Sequence, residues 1–408
     1  LIPHRICIDS RYLSQALNDK LAQICALDLV FRKLNLWPFY QLLYQCGANN
    51  PYWYSLGMHI LHCPSDVGGN PWGLSRAERA LGLQSDMVVF NQQWFGYNND
   101  INLNLNASPI LIKDFKRLQF YKSVLDKYDV FHFNFGRSIL DYPFSGIFNY
   151  IDLPSLKRKG KKIIMTFQGC DARIKHYCCK NFEISACAEC KVWYCNRVTD
   201  AMKERRLAKI SKYADNIFVL NPDLKHFLPD AEFLPYASID LKQWRPAETS
   251  PSPEVDDPLT ILHAPSNRSI KGTERIIQAC TELEREGYPV RLTLAESIPH
   301  ARMKAVYESA DIFVDQLLVG WYGAAAVEAM SLGVPSICYL RESDLSWLPF
   351  KDSIPVISAT YDTIYDVLLD LIENRRRLKE IGLRSRAYVE EVHDPVKIAM
   401  QLKRTYES

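Results

Sequence analysis

Long apolar runs are missing from this chain. No stretch of about 18 apolar residues appears, so no helix is expected to span a membrane. Residues 1–10 carry no charged region followed by an apolar run, so no secretory signal is read there. Leu1 is not a methionine, and a lost leader stays open. Internal repeats and low-complexity tracts are absent too, as is an excess of one charge: 49 Lys or Arg stand against 47 Asp or Glu, a net +2. With 48% hydrophobic and 24% charged residues, the composition excludes disorder, collagen and coiled coil. What remains is ordinary globular protein. Its 408 residues fit two domains of about 150–200 residues, with ample chain for two cores.

The charge is unevenly spread. Residues 151–213 hold fifteen Lys or Arg against six Asp or Glu, a local balance of +9. Such a run is either a solvated basic face or a docking surface for something anionic. Twelve cysteines are many for a cytosolic protein, but six of them (Cys170, Cys178, Cys179, Cys187, Cys190 and Cys195) fall within 26 residues. A secreted disulfide framework is spread more evenly over a smaller chain, so the pattern favours a reducing, cytoplasmic compartment with one local cysteine site.

Short apolar runs alternate with helical stretches. Candidate strands are 58–63, 87–90, 130–133, 162–167 and 217–220 in the first half, then 260–263, 291–295, 312–314 and 335–339. Continuous apolar strands between amphipathic helices read as βαβ units in parallel sheets covered on both faces. The expected organisation is an N-terminal helical extension over 1–55, a first Rossmann-like domain over 56–241 with a cysteine-rich insertion over 170–195, and a Pro-rich linker over 242–258. A second Rossmann-like domain over 259–390 and a C-terminal helix over 391–408 complete it. The extension mixes Trp, Phe and Lys, as a membrane-surface helix does, and equally suits a segment packed on its own domain. Two doubly wound domains set a crevice between the carboxyl ends of their sheets, where such folds bind ligands.

Two segments carry chemistry. Gly320-Trp-Tyr-Gly-Ala-Ala-Ala-Val-Glu328-Ala-Met-Ser-Leu-Gly333-Val-Pro335 follows a strand and ends in a glycine helix stop. Gly323, Ala324 and the next two alanines bring backbone N–H groups close to a phosphate, which the helix dipole also favours. Glu328 lies one and a half turns in, able to reach sugar or ribose hydroxyls; the plain alternative is a glutamate on a packing helix. Leu262-His-Ala-Pro-Ser-Asn-Arg268-Ser-Ile-Lys271-Gly272-Thr273 leaves a strand at the second domain's first βα turn. Its Arg268 and Lys271 offer two charges to a departing diphosphate, whose leaving oxygen gains charge in the transition state.

Together these segments resemble retaining glycosyltransferases of family 4, which have the two-domain GT-B architecture. The resemblance runs from about Met58 to the C-terminus and is strongest over 215–340. It includes Phe233-Leu-Pro-Tyr-Ala-Ser-Ile-Asp240 and Trp244-Arg-Pro246 at the entry to the hinge. It implies that Arg268 and Lys271 grip the donor diphosphate and that Glu328 binds the nucleotide ribose. Gly68-Gly69-Asn70 resembles the family's glycine loop beneath the sugar and phosphates, and the C-terminal helix is expected to cross back to the first domain. The family's second glutamate, eight positions before Glu328, is Gly320 here, with Asp315 or backbone groups as its substitutes. A histidine often ends the strand that carries His132-Phe-Asn134, and its place is taken by Asn134. Gln168, in Thr166-Phe-Gln168-Gly169-Cys-Asp171-Ala-Arg173, stands where relatives often have histidine. Asp171, a catalytic candidate with Arg268 and Lys271, and Arg173 remain as polar groups expected to face the cleft, where His132, Asn134, Gln168 and Arg173 are expected on the acceptor side.

The cysteine cluster suits a structural zinc held by Cys178 or Cys179 with Cys187, Cys190 and Cys195, since four thiolates close a tetrahedral site. An iron–sulfur cluster or free and disulfide-bonded thiols are the alternatives. The expected activity is transfer of a sugar from a nucleotide-sugar donor, UDP more commonly than GDP, to a glycan or lipid-linked acceptor, with no catalytic metal. A non-catalytic GT-B module and a nucleotide-sugar epimerase are the rivals. No nucleic-acid partner is expected. The basic run Lys157-Arg-Lys-Gly-Lys-Lys162 is expected either to hold an anionic acceptor at a membrane surface or to be a solvated turn.

Overall fold

The computed structural model describes residues 57–142, 149–192, 195–246 and 257–408, so the helical extension expected over 1–55 and most of the linker lie outside it. The described chain builds two wholly parallel sheets. The first has the order β3-β2-β1-β4-β5-β6-β7. Its strands are β1 (His59–Cys63), β2 (Gln84–Val89), β3 (Ile101–Asn102), β4 (Val130–Asn134), β5 (Lys162–Phe167), β6 (Asn216–Val219) and β7 (Glu232–Phe233). The second has the order β12-β11-β10-β8-β9. It is made of β8 (Leu259–His263), β9 (Val290–Leu294), β10 (Ile312–Gln316), β11 (Ser336–Cys338) and β12 (Ile357–Ser358). All nine strands expected from the sequence are present. The three it did not show, β3, β7 and β12, are two-residue edge strands too short to carry a pattern.

Central strands are buried on both faces, which is why they read as unbroken apolar runs; every residue of Val130–Asn134 is buried. Leu61, Phe131, Phe133 and Met165 fill one side of the first sheet, and Ile261, Val314 and Ile337 fill the second domain. A third cluster runs from Ile60 and Leu74 through Tyr236, Trp244 and Trp321 to Tyr388, joining the two domains. Each large apolar side chain buried there contributes about 1.5–3 kcal/mol. Strand order reverses between β1 and β4 in the first sheet, and between β8 and β10 in the second. Each reversal opens a crevice at the carboxyl ends.

Two close contacts fix helix Asn70–Ala80. Helix Asn70–Ala80 lies so close to the chain entering the hinge that a Cβ on Gly73 would meet the Ala237 carbonyl oxygen at 1.8 Å. Asn70 Oδ1 accepts the Ala237 N–H at 2.7 Å. The final helix, Pro395–Glu407, is started by Asp394, whose carboxylate accepts the Val396 N–H, and it packs on helix Asn70–Ala80. There Tyr406 donates to Glu78 at 2.8 Å, and the other Glu78 oxygen is bonded by His62 at 2.9 Å and Ser85 at 2.6 Å. Since the Tyr406 hydroxyl is spent on Glu78, His132 donates to Tyr406 from Nδ1 and accepts from Thr166 through Nε2. Burial, helped by nearby His62, holds His132 well below the usual histidine range and neutral. No helix among the described residues is long and apolar enough to cross a membrane.

Candidate active site between the two sheets

The turn after β8 is rigid. Asn267 caps the short helix Arg268–Lys271 by accepting the Ile270 N–H, and Gly272, at φ 78°, turns the chain into helix Thr273–Arg285. Beneath it, His263 donates from Nδ1 to the Val314 carbonyl at 2.7 Å and accepts from Thr273 at 2.8 Å. Lys271 thus projects toward the end of β10, where its Nζ lies 2.5 Å from Asp315 Oδ1. Asp315 Oδ2 accepts the Gly323 N–H at 2.6 Å, at the start of helix Ala324–Ser331. Asp315 is 1% exposed and Lys271 13%. An ammonium and a helix N-terminus converge on one spot, and an internal carboxylate sits between them, the arrangement that elsewhere receives phosphate.

Arg268 is directed elsewhere. Its guanidinium forms a two-pronged pair with Glu296 at 2.9 and 2.7 Å and a third bond to Glu274 at 3.2 Å, on the exposed side of the turn. The structure therefore brings Lys271, Gly323, Ala324 and Glu328 onto one helix end and one turn, but commits Arg268 to two glutamates.

The first domain closes over this spot. In the Gly68-Gly69 loop after β1, Gly68 is so close to Ala324 that a Cβ would lie 3.5 Å from the alanine's own. Gly69, at φ +68°, presses on Tyr97, whose ring a Cβ would meet at 2.9 Å. Buried Glu328 accepts from His300 Nε2 at 2.9 Å. The His300 ring is flanked by Tyr97 at 4.6 Å and Trp244 at 5.7 Å, and its backbone N–H donates to the Phe95 carbonyl. Burial disfavours the imidazolium, but the Glu328 hydrogen bond, with the Glu328 and Asp66 charges, outweighs it and raises the His300 pKa. Asp66, just before the glycine loop, is pushed up to about 7 by burial, which the Gly69 N–H and His300 only partly offset. Neither of its oxygens makes a well-formed hydrogen bond. Asp66, Tyr97 and His300 carried no sequence signal, because they meet Glu328 only through the fold.

The other expected residues are spread along the rim and core. His132 is fully buried, with both ring nitrogens engaged beneath the C-terminal helix and not in the crevice. Asp171 bends back on its own loop and accepts the N–H groups of Gln168 and Gly169, the latter at 2.6 Å. Burial raises its pKa against those bonds. Arg173 is paired in two-pronged fashion with Asp223, at 2.6 and 3.0 Å. Asn134 donates to the His132 carbonyl and leaves its Oδ1 unpaired. Gln168 Nε2, Asn70 Nδ2 and Ser238 Oγ are buried and unpaired as well. With Asp66, these orphaned atoms gather at the carboxyl end of the first sheet, where a ligand rich in hydroxyls would satisfy them.

Among the described residues no three His, Cys, Asp or Glu side chains converge as metal ligands, and all nine described cysteines are free. Adjacent positions on helix Lys175–Asn181 bury Cys178 and expose Cys179, and Cys190 and Cys195 lie partly exposed. Cys178 instead hydrogen-bonds Cys187, an interaction that holds the Cys187 thiol down to about 7 and pushes Cys178 up. The segment reaches the second domain: Ala186 N–H donates to the Leu318 carbonyl at 2.9 Å, and Arg341 donates to the Ile184 carbonyl at 3.0 Å. Arg341 also lies against Gly320, where a Cβ would meet its guanidinium at 2.7 Å.

Two parallel doubly wound domains facing across a crevice define the GT-B fold. No family model matches the chain, and no curated protein is similar to it in sequence. Among solved structures it is similar to sucrose-phosphate synthase from Thermosynechococcus elongatus, with a TM-score of 0.55 and 16% identity over 86% of this chain and 98% of that one. It is also similar to Anabaena HepE in complex with UDP-glucose, with a TM-score of 0.56 and 13% identity over 86% and 99%.

Proposed function

We propose that the protein is a nucleotide-sugar-dependent glycosyltransferase that moves a sugar to a hydroxyl acceptor with retention. The observation that carries this reading is the Lys271–Asp315–Gly323 node beneath the Gly68-Gly69 loop. A donor diphosphate would take the place of the Asp315 carboxylate between the Lys271 ammonium and the Gly323 N–H. Charge developing on the leaving oxygen would meet fixed donors in a water-poor crevice. Glu328, released from His300, would accept the ribose hydroxyls, and the orphaned atoms of Asn134, Gln168 and Ser238 would hold sugar or acceptor hydroxyls. The leaving phosphate oxygen itself would take the acceptor proton. HepE, similar to this chain in fold, is solved with UDP-glucose, which supports a uridine donor.

The test is a thermal-shift comparison of UDP, GDP and ADP, followed by release of free nucleoside diphosphate from a panel of nucleotide sugars. A ligand at a hundred times its dissociation constant adds about 2.7 kcal/mol of stability, a readily measured shift. UDP stabilisation with diphosphate release only when an acceptor is present supports the transferase. Binding without release supports a binding module, and no stabilisation by any nucleotide refutes the site.

A further inference from the structure

Helix Ile110–Val124 turns Arg117, Tyr121 and Val124 into the first domain and leaves large apolar side chains in water. Ile110 is 74% exposed, Ile112 47%, Phe115 67% and Leu118 39%. Scattered exposed apolar residues are ordinary, but Ile112, Phe115 and Leu118 share one side of the helix and make a patch that asks for a partner. At 100° per residue, Ile112 and Phe115 lie at the centre of the outward face, with exposed Lys116 and Lys122 on either side.

A second basic element adjoins it. Lys159, just past helix Asp152–Arg158, approaches Asp126, just past helix Ile110–Val124, at 4.0 Å, so the C-terminal ends of the two helices adjoin. Exposed Arg158 and Lys159 therefore extend the same face. Apolar side chains flanked by long basic ones match the boundary of an anionic bilayer. There the apolar groups enter among the acyl chains, and the ammonium and guanidinium groups rise to the phosphates. A second protein would be expected to bring its own ion pairs rather than a uniform anionic plane.

We propose that this face, centred on Ile112, Phe115 and Leu118 and rimmed by Lys116, Lys122, Arg158 and Lys159, docks the protein on anionic membrane. The sequence pointed only to the basic run; the helix beside it supplies the apolar half that a lasting surface contact needs. The surface stands apart from the donor site, and its test uses no nucleotide.

Flotation of the full chain with vesicles of phosphatidylcholine alone, and with added phosphatidylglycerol, reads the binding. The expected result is flotation with the anionic vesicles that weakens as salt rises. Phe115→Ser should weaken it about tenfold, since a largely exposed phenyl ring no longer enters the bilayer. Neutralising Lys122 or Arg158 should cost about fivefold each. Because these side chains are exposed, melting curves of the variants should overlay the wild type, so lost flotation reports the surface and not the fold. Absence of flotation with both vesicle types overturns the proposal. So does flotation indifferent to Phe115→Ser, or a Phe115-dependent dimer by light scattering, which would assign the face to a second copy.

Discussion

Replacing Lys271 by methionine separates what the lysine does for the fold from what it does for a donor. The change keeps the length of the side chain and removes its charge. Asp315, 1% exposed, would then keep only the Gly323 N–H at 2.6 Å. Removing one partner of a buried ion pair costs about 3–5 kcal/mol. Lys271 is itself 13% exposed, so water screens part of the pair and the lower end, about 3 kcal/mol, applies. At about 2–4 °C per kcal/mol for a domain of this size, the melting temperature should fall by about 6–12 °C. Adding Asp315→Asn removes the stranded charge while leaving an oxygen for the Gly323 N–H, so the double variant should regain most of the loss. Turnover should not return, because the leaving diphosphate still lacks its cation, at a cost of about a hundredfold. Asp315→Asn alone should bind UDP more tightly than the wild type, the competing carboxylate being gone. Melting of Lys271→Met together with the wild type, or recovered turnover in the double variant, would refute the reasoning.

Further outcomes follow from the same site. Gly320→Glu, which places a glutamate where the resembled family has one, should destabilise by about 3 kcal/mol in urea unfolding without improving sugar use. It drives Arg341 off buried Asp344, which Arg341 holds at 2.9 Å; an unchanged unfolding midpoint would contradict this. Asp66, raised to about 7, favours the folded state while protonated, so stability should decline between about pH 4 and 7, and Asp66→Asn should flatten the decline. His300, also raised, adds a loss as pH climbs past the usual histidine value through its higher folded one, freeing Glu328; UDP affinity that falls with pH over that range would count against the site. Below pH 6.5 the sign reverses for His263 and His393, held to about 4 by burial, and stability should drop until about pH 4. Cys187, near 7, should be alkylated by iodoacetamide before the other cysteines of its segment, and mass mapping that finds it slowest would dismiss the thiolate.

What could be read in the sequence follows from how far apart the cooperating residues are. Parallel strands such as Val130–Asn134 announce themselves, because burial on both faces leaves a continuous apolar run. Edge strands of two residues leave no period to detect. Lys271, Gly323 and Glu328 were legible because a turn and a helix start fix their chemistry locally. Asp315 was legible only as a substitute for a missing glutamate, and its place between lysine and helix end depends on β8 and β10 being neighbours. The pairing of Arg268 with Glu296, 28 residues on, leaves no trace in the local pattern. His132 was read toward the crevice because nothing near it tells that the last helix covers its face. Spacing alone does not tell which of Cys178 and Cys179, about 100° apart on their helix, is buried and which exposed.

That last helix sets a schedule for synthesis. Tyr406 completes the buried bonding of Glu78, yet the two residues are 328 positions apart. A ribosome adding about 5–20 residues per second needs roughly 15–65 seconds to cover that distance. Once β7 has been made at Phe233 the first domain has its sheet but not its cover, and Glu78 and His132 each lack a partner on the side where the helix will lie. The ordinary order, in which the leading domain finishes folding while the trailing one is still being made, is therefore closed to this chain. Its first half must be held in an unfinished state until the second is complete, so both halves reach their final form in one late step.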